Sequence, residues 1–308
     1  MAKHTKWIDA ACDEAVVAVA VRGLRSRFAA VVDYVTLAAT RPDEDPEYVH
    51  QMRVWSRRGV AALGVFRPLL PKRRRRWLKA QLKWIRRASN DARDDDVFAM
   101  RLAADCEHPE ASRLLKAVRK HRKKAQRPII EAYRLLIESG LFERRGAKLL
   151  ERVRPRGKHS DLDGAAFGPW AGARIQPLVR RFFDAADADL DDVAALHQFR
   201  ICAKKLRYAI ELLAPAFPES LRTEAYPMIQ ALQDRLGEIN DHATACQRLE
   251  RWIDQADDPE EEAYLRAVLD VERHQCDASR DQFFAWWNAK HKLELCEALA
   301  GIHCPAAP

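Results

Sequence analysis

Apolar residues recur at three- and four-residue steps along most of the chain, which is the spacing of one face of an α-helix. Residues 72–88 show it clearly, with Trp77, Leu78, Leu82 and Ile85 set among cations. No segment of useful length alternates apolar and polar residues as a half-buried strand does. The pattern therefore predicts an all-α protein.

Helix boundaries follow from the breaks in this pattern. Asp45 and Pro46 are expected to cap and begin a helix, whereas Asn90 and Gly237 are expected at helix ends, since both tolerate the left-handed conformation. Glycine and proline are frequent in residues 155–172, which predicts a boundary between two halves of the chain. The predicted helices are about Trp7–Ala39, Lys72–Ala88, Trp170–Ala188, Asp192–Leu213 and Ser220–Leu236, with others between Pro46 and Pro68, near Asp94–Asp96 and after Asp241.

One ten-residue pattern occurs twice. Residues 49–58 read VHQMRVWSRR and residues 196–205 read LHQFRICAKK. His50 and His197 are 147 residues apart, and the same spacing relates Asp94 to Asp241. A match sustained over this length predicts two copies of one structural unit, residues 1–154 and residues 155–308.

Each copy of the pattern places a histidine and several cations on one helix face. On a helical wheel His50, Arg53 and Arg57 fall within roughly 60° of one another. The second copy places His197, Arg200, Lys204 and Arg207 within about 80°. Arginine and lysine suit phosphate oxygens, and a histidine ring can donate to an oxyanion. A single basic face is more often a solvated surface than a binding site, but its repetition favours anion binding.

The positive charge is unevenly distributed. The chain has a net charge of +8, but residues 1–150 contain 33 Lys/Arg and 18 Asp/Glu, a net of +15, whereas residues 151–308 contain 20 and 27, a net of −7. A positive field concentrates anionic ligands. We therefore expect the first copy to bind an anion more strongly than the second.

Three other features limit the function classes. The seven cysteines include no CxxC pair, which favours reduced thiols in the cytoplasm. The apolar run 15–21 is too short to span a membrane. One acidic cluster leaves two readings open, helix capping or metal binding; because its spacing fits no recognised metal site, capping is expected and no metal or cofactor is assigned. The cluster consists of Asp94, Asp95, Asp96, Asp241 and His242.

The repeated segments resemble the CHAD family, the conserved histidine α-helical domain. The resemblance rests on LHQFRICAKKLRYAIELL at 196–213 and LQDRLGEINDHATA at 232–245, with VHQMRVWSRRGVAALGVFRPLLP at 49–71 and ARDDDV at 92–97 in the first copy. It implies two four-helix units packed about a pseudo-twofold axis, with a basic channel between them. It also implies inorganic polyphosphate as the ligand and association with polyphosphate granules.

The resemblance and the helix spacing together predict the binding residues. Lys79 and Lys83 come from the spacing along the third helix, and the others match the family's motif. The full set is His50, Arg53, Arg57, Arg58, Lys79, Lys83, His197, Arg200, Lys204, Lys205 and Arg207. Some relatives carry a fused triphosphate-processing domain with an ExExK motif; since no such motif occurs here, we expect a stand-alone binding domain.

We therefore expect a non-catalytic polyphosphate-binding protein. One alternative is a basic helical protein that binds nucleic acid, although the basic faces lack the interleaved exposed aromatics that stack single-stranded bases. Another is a metal-dependent hydrolase of polyphosphate or phosphate esters, which requires a metal or a positioned nucleophile. Granule-associated proteins are possible partners, and no membrane partner is expected.

Overall fold

The computed structural model describes residues 4–103, 109–155, 164–256, 258–300 and 302. Within these residues the chain is helical and contains no strand, apart from one antiparallel bridge between Ala15 and Ala166. The all-α prediction is confirmed. The α-helices are α1 (Val16–Thr40), α2 (Glu47–Val65), α3 (Lys72–Ala88), α4 (Asn90–Ala103), α5 (Pro109–Ala125), α6 (Arg127–Ala132), α7 (Leu141–Leu150), α8 (Phe167–Ala186), α9 (Val193–Leu213), α10 (Tyr226–Ile253), α11 (Pro259–Trp286) and α12 (Ala289–Ala300).

The chain divides into two compact units. Unit 1 contains the chain up to Arg174 together with Glu211–Ala216, and unit 2 contains Ile175–Ile210 and the chain from Phe217 onward. Helices α8 and α9 therefore contribute residues to both units. The predicted sequence repeats, 1–154 and 155–308, stay a prediction, as do the pseudo-twofold axis and the basic channel.

Unit 1 is built on α1, α2 and α3. α2 packs against both α1 and α3, and α6 and α7 cover α1 and α3. The fully buried side chains include Leu24, Leu63 and Leu82. A Cβ atom placed on Gly59 of α2 would lie 2.9 Å from Leu82 Cδ1 of α3. The absence of a side chain at Gly59 therefore allows these two helices to approach closely.

The start of α1 differs from the prediction. The expected helix from Trp7 begins instead at Val16, because the preceding backbone bonds to the first residues of α8. Phe167 N–H donates to Glu14 O at 2.9 Å, and Gly168 N–H donates to Cys12 O at 2.8 Å. These long-range hydrogen bonds satisfy backbone groups that a helix would otherwise have used.

Unit 2 has an aromatic core. Phe199 of α9 lies 5.2 Å from Phe182 of α8 and 5.4 Å from Trp287, measured between ring centroids. Phe283 and Trp287 are buried. α10 packs along α11.

One predicted helix end is wrong. α10 continues through Gly237 instead of ending there; the buried apolar residues on either side of it, Leu236 and Ile239, outweigh the roughly 1 kcal/mol helix penalty of glycine. Asn90 does lie at a helix end, since α3 ends at Ala88 and Asn90 begins α4 after a one-residue break at Ser89, but its backbone is not left-handed. None of the described helices is long and apolar enough to cross a membrane.

Candidate functional site

Helix α2 presents the first copy of the motif. Its start is capped as predicted, since Glu47 N–H donates to Asp45 Oδ1 at 2.8 Å. Val49 and Met52 are buried on one face of the helix. His50, Arg53 and Arg57 are half-buried, so the predicted basic face lies at the edge of the core and not on a fully solvated surface.

Arg53 holds the junction between α3 and α4. One guanidinium nitrogen donates to Arg86 O at 3.0 Å, to Ser89 Oγ at 3.3 Å and to Asn90 Oδ1 at 2.7 Å. These contacts bind the C-terminal end of α3 to the first residue of α4. Arg53 therefore has a structural role, whether or not it also contacts a ligand.

The electrostatics around Arg53 reveal a concentration of cations. Burial lowers the pKa of Arg53 to about 10, and Arg57, Arg86 and Arg93 contribute to this decrease, while Asp94 acts in the opposite direction. Each of these arginines therefore lies close enough to Arg53 for charge repulsion to be felt. An arginine in this state gains from any added negative charge nearby.

His50 belongs to the same group. Burial lowers its pKa first, then Arg93, Arg57 and Arg53 add to the effect, and Glu47 opposes it. We call the five residues His50, Arg53, Arg57, Arg86 and Arg93 the α2 cluster. Within the described residues the side chains of His50, Arg57 and Arg93 have no hydrogen bond or ion pair, which leaves their donors available to a ligand.

Sequence reasoning omitted Arg93 from the site. Arg93 stands in the segment DARDDDV, where the aspartates outnumber it and make the net charge of the segment negative. The spacing of the repeat gives the one signal, because Arg93 lies one residue before Asp94 and the equivalent position in the second copy is Asn240. The first copy therefore has a cation where the second has an amide.

Arg58 is placed differently from the other motif residues. Its guanidinium donates to both carboxylate oxygens of Glu211, at 2.7 Å and 3.1 Å, and lies 4.5 Å from the Trp55 ring centroid. The Glu211 side chain is 0% exposed and that of Arg58 is 11% exposed. The structure therefore shows Arg58 in a buried ion pair. Its predicted contact with phosphate stays a prediction and would require this pair to open.

The lysines of α3 lie on a strongly basic helix. Lys79 is half-buried, whereas Lys83 is exposed and has no ion pair within the described residues. Residues 51–90, which include most of α2 and all of α3, contain 13 Lys/Arg and no Asp or Glu. Carboxylates near the α2 cluster therefore come from outside this segment, and Glu47 and Asp94 are two of them.

Helix α9 presents the second copy in a more mixed environment. Asp192 Oδ2 caps this helix by accepting from Ala195 N–H at 2.9 Å. His197 is exposed. Arg207 lies 5.1 Å from the Tyr208 ring centroid, and its charge opposes the burial that raises the pKa of Asp234.

The other predicted residues of the second copy lie along the same helix. Arg200 and Lys204 are half-buried and Lys205 is exposed. Lys205 lines a hollow of about 490 Å³ together with Arg181 and Asp184. The second copy therefore offers cations beside carboxylates, and it lies in the net-acidic half of the chain.

Three residues of the acidic cluster form ion pairs between helices. Asp95 pairs with His121 at 2.7 Å and Asp96 with Arg122 at 2.6 Å, which ties α4 to α5. His242 pairs with Glu272 at 2.6 Å, which ties α10 to α11. The capping prediction is wrong because α4 begins four residues before Asp94 and Asp241 lies inside α10. No group of three or more potential metal ligands occurs in the described part of the chain.

Comparison with known proteins identifies the family. The CHAD domain model matches residues 22–250, which include the α2 cluster and α9. The chain belongs to the CHAD domain family. A comparison with curated proteins gives no match.

Two solved structures share the fold. The crystal structure of the CHAD domain from the plant Ricinus communis matches with a TM-score of 0.69 and 22% identity, over 98% of this chain and 96% of that one. PptA from Streptomyces chartreusis matches with a TM-score of 0.66 and 18% identity, over 89% of this chain and 99% of that one. At these identities the likeness concerns the fold alone.

Proposed function

We propose that this protein binds inorganic polyphosphate without transforming it, and that the α2 cluster is its principal binding surface. CHAD domains are associated with polyphosphate, and the chemistry of the cluster fits this ligand. The observation on which the proposal rests is the convergence of His50, Arg53, Arg57, Arg86 and Arg93, where burial and then charge repulsion lower the pKa of Arg53 and of His50.

A polyphosphate chain supplies what the cluster lacks. Each phosphate of the chain offers oxygens to the guanidinium groups of Arg57 and Arg93, which are suited to bidentate contacts. A neutral imidazole such as His50 can still donate one N–H to a phosphate oxygen. The half-buried position of these groups limits screening by salt and strengthens the interaction relative to a fully exposed surface.

The same surface favours polyphosphate over nucleic acid. Single-stranded nucleic acids bind to grooves in which aromatic side chains stack on the bases, and the α2 cluster consists of cations and one imidazole. Polyphosphate carries its charges without bulky sugars and bases between them, so it presents a higher charge density. The second copy, with His197, Arg200, Lys204, Lys205 and Arg207, is proposed as a weaker site because it lies in the net-acidic half of the chain.

A binding role also fits the residues near the cluster. Phosphoryl transfer to water requires a metal or a positioned base besides cations. Of the α4 carboxylates near the cluster, Asp95 and Asp96 are engaged with His121 and Arg122, and Asp94 favours the charged form of Arg53. The proposal therefore predicts no phosphate release from polyphosphate when the protein is incubated with Mg²⁺ or Mn²⁺, and sustained turnover under these conditions would contradict it. Localisation on polyphosphate granules would follow from the same affinity.

The test uses charge reversal at two positions whose side chains form no hydrogen bond or ion pair within the described residues. Arg57→Glu combined with Lys83→Glu changes one residue of the cluster and one exposed lysine of α3. Titration with long-chain polyphosphate should show a loss of affinity of roughly ten- to a hundredfold at low salt. The slope of log affinity against log salt should also fall by about one for each phosphate that the variant no longer neutralises.

Arg134→Glu combined with Lys148→Glu is the matched control. Both residues are exposed in unit 1, and the double substitution makes the same change in net charge. An equal loss in both variants would show that the general field of the protein, and not the α2 cluster, binds the ligand. Stronger binding to duplex DNA than to polyphosphate at physiological salt would instead support the nucleic-acid alternative.

A further inference from the structure

Helix α3 begins with five consecutive cations, Lys72 to Arg76. A helix N-terminus carries a partial positive charge, so acidic residues are stabilising there and cations are not. No side chain caps the N-terminus of α3, and its first turn contains no acidic residue. The start of α3 is therefore a place where like charges accumulate on a helix end that already favours an anion.

A turn before α3 fixes the position of these cations. Arg67–Leu69 forms a short 3-10 turn, with Leu69 and Leu70 buried. Arg154 N–H donates to Leu69 O at 3.1 Å, and the ring of Phe66 stacks on Trp170 with a centroid distance of 5.4 Å and an interplanar angle of 5°. The turn is thus held by buried contacts on its apolar side, while Arg67 remains exposed.

A small hollow lies beside this turn. It has a volume of about 250 Å³ and is lined by Arg67, Leu70, Lys72, Arg75 and Arg76. We call it the α3 hollow. Four of its five lining residues are cations and none is a carboxylate. Arg73 and Arg74 of the same run line a different hollow, with Trp77 and Arg145.

Arg75 is the least solvated cation of the α3 hollow. Its Nε atom is buried and has no hydrogen-bond partner within the described residues. The pKa of Arg75 is lowered first by burial and then by the charges of Arg67 and Arg76. The pKa of Arg174 is also lowered, by burial and by the charge of Arg67. A buried donor without a partner is costly, and an oxyanion in the hollow would provide an acceptor.

We propose that the α3 hollow is a second anion site, separate from the α2 cluster, and that it binds the terminal phosphate of a condensed phosphate. The size of the hollow fits a compact group better than an extended chain. A terminal phosphate has a second ionisation with a pKa of about 6. It therefore bears more charge at neutral pH than an internal phosphate does. Four cations at a helix N-terminus favour the group of higher charge.

This inference rests on the proposed function for the class of ligand, but it uses different residues. A protein with both sites would hold a polyphosphate chain along the α2 cluster and recognise a chain end at the α3 hollow. Its affinity per molecule would then depend on the presence of ends as well as on length.

The experiment compares two small ligands of the same phosphate count. Linear tripolyphosphate has terminal phosphates, whereas cyclic trimetaphosphate has none. Calorimetry on the full chain should show tighter binding of the linear ligand, and Arg67→Gln combined with Arg75→Gln should weaken that binding at least about tenfold. Arg127→Gln combined with Arg134→Gln, which removes two exposed arginines of unit 1, is the control and should leave it nearly unchanged.

The outcomes separate the two proposals. Equal binding of linear and cyclic ligands, no measurable binding of the linear ligand, or equal losses in the two variants would overturn the α3 hollow as a chain-end site. Loss of long-chain binding in the Arg57→Glu/Lys83→Glu protein concerns the α2 cluster and the neighbouring Lys83, not the α3 hollow. Circular dichroism and thermal unfolding of the Arg67→Gln/Arg75→Gln protein establish whether it is folded. If it is unfolded, Arg67→Lys/Arg75→Lys replaces it, because this variant keeps the charge and removes only the guanidinium fork. It should retain most of the preference for the linear ligand, and loss of that preference would equally overturn the proposal.

Discussion

The ion pair between Arg58 and Glu211 is expected to stabilise unit 1 and not to bind the ligand. Replacing Glu211 with Gln removes the charge that faces a guanidinium only 11% exposed. Breaking one side of a buried ion pair costs about 3–5 kcal/mol, since the remaining charge stays buried without compensation. The two hydrogen bonds, at 2.7 Å and 3.1 Å, and the position of Arg58 over Trp55 indicate a well-formed pair near the upper part of this range.

Removing both partners should have a smaller effect than removing one. In Arg58→Met/Glu211→Met the buried charges disappear together, and hydrophobic replacements of buried ion pairs are often nearly neutral. Urea unfolding followed by circular dichroism should therefore give a double-mutant cycle with a coupling energy of several kcal/mol. The Glu211→Gln protein should lose stability strongly, and the double variant should recover most of it.

The same double variant distinguishes structural from ligand-binding roles. If Arg58 serves only the ion pair, the folded double variant binds long-chain polyphosphate with an affinity within about twofold of the unmodified protein. A loss of more than tenfold in a stable, folded double variant would show that Arg58 contacts the ligand, as the motif alone predicts. A cost below about 1 kcal/mol for Glu211→Gln would refute the reasoning on burial, because it would mean that the pair is solvated.

Three further predictions follow from the site. Arg57→Glu should weaken polyphosphate binding more than Lys204→Glu in a parallel titration, because the first copy lies in the net-basic half of the chain; equal losses would show that local geometry outweighs the surrounding charge. Burial and neighbouring arginines lower the pKa of His50 in the unliganded protein, and a bound polyanion should raise it. Binding should therefore take up protons, and it should strengthen as the pH falls through the raised pKa of His50. Calorimetry in buffers of different ionisation enthalpy measures this uptake, which His50→Gln should reduce. Gly59→Leu should destabilise unit 1 by about 1–3 kcal/mol in urea unfolding, since even a Cβ atom would lie 2.9 Å from Leu82 Cδ1; an unchanged midpoint would show that α2 and α3 separate easily.

Helical periodicity predicts most of the secondary structure because it reports directly which residues face the core. The bounds of α3 agree with the predicted Lys72–Ala88, where a narrow apolar face runs through a cationic sequence. The start of α1 could not be predicted from residues 7–15, whose apolar spacing resembles a helix but whose backbone bonds to a segment about 150 positions later. Local propensity is overridden there by long-range hydrogen bonds.

The candidate site is less predictable than the fold because the motif gives cations without their partners. Arg53, Arg57 and Arg58 look equivalent in the sequence, yet Arg53 holds a helix junction, Arg57 has no ion pair in the described chain and Arg58 faces Glu211. The partner of Arg58 lies in the other copy of the repeat, at a separation of 153 residues. No periodicity within the first copy indicates such a pairing.

The composition of unit 1 has a consequence for how the protein is made. Unit 1 includes Glu211–Ala216, a segment that begins at the end of α9 and follows most of that helix along the chain. During synthesis the N-terminal segment leaves the ribosome first, whereas Glu211, which pairs with Arg58, emerges much later. N-terminal domains usually fold while the rest of the chain is still being made. Here unit 1 lacks Glu211–Ala216 at that stage, so its cationic segment 51–90 stays accessible to polyanions. A ribosome-bound chain ending near residue 154 should therefore remain sensitive to protease, whereas one with residue 216 outside the exit tunnel should be protected.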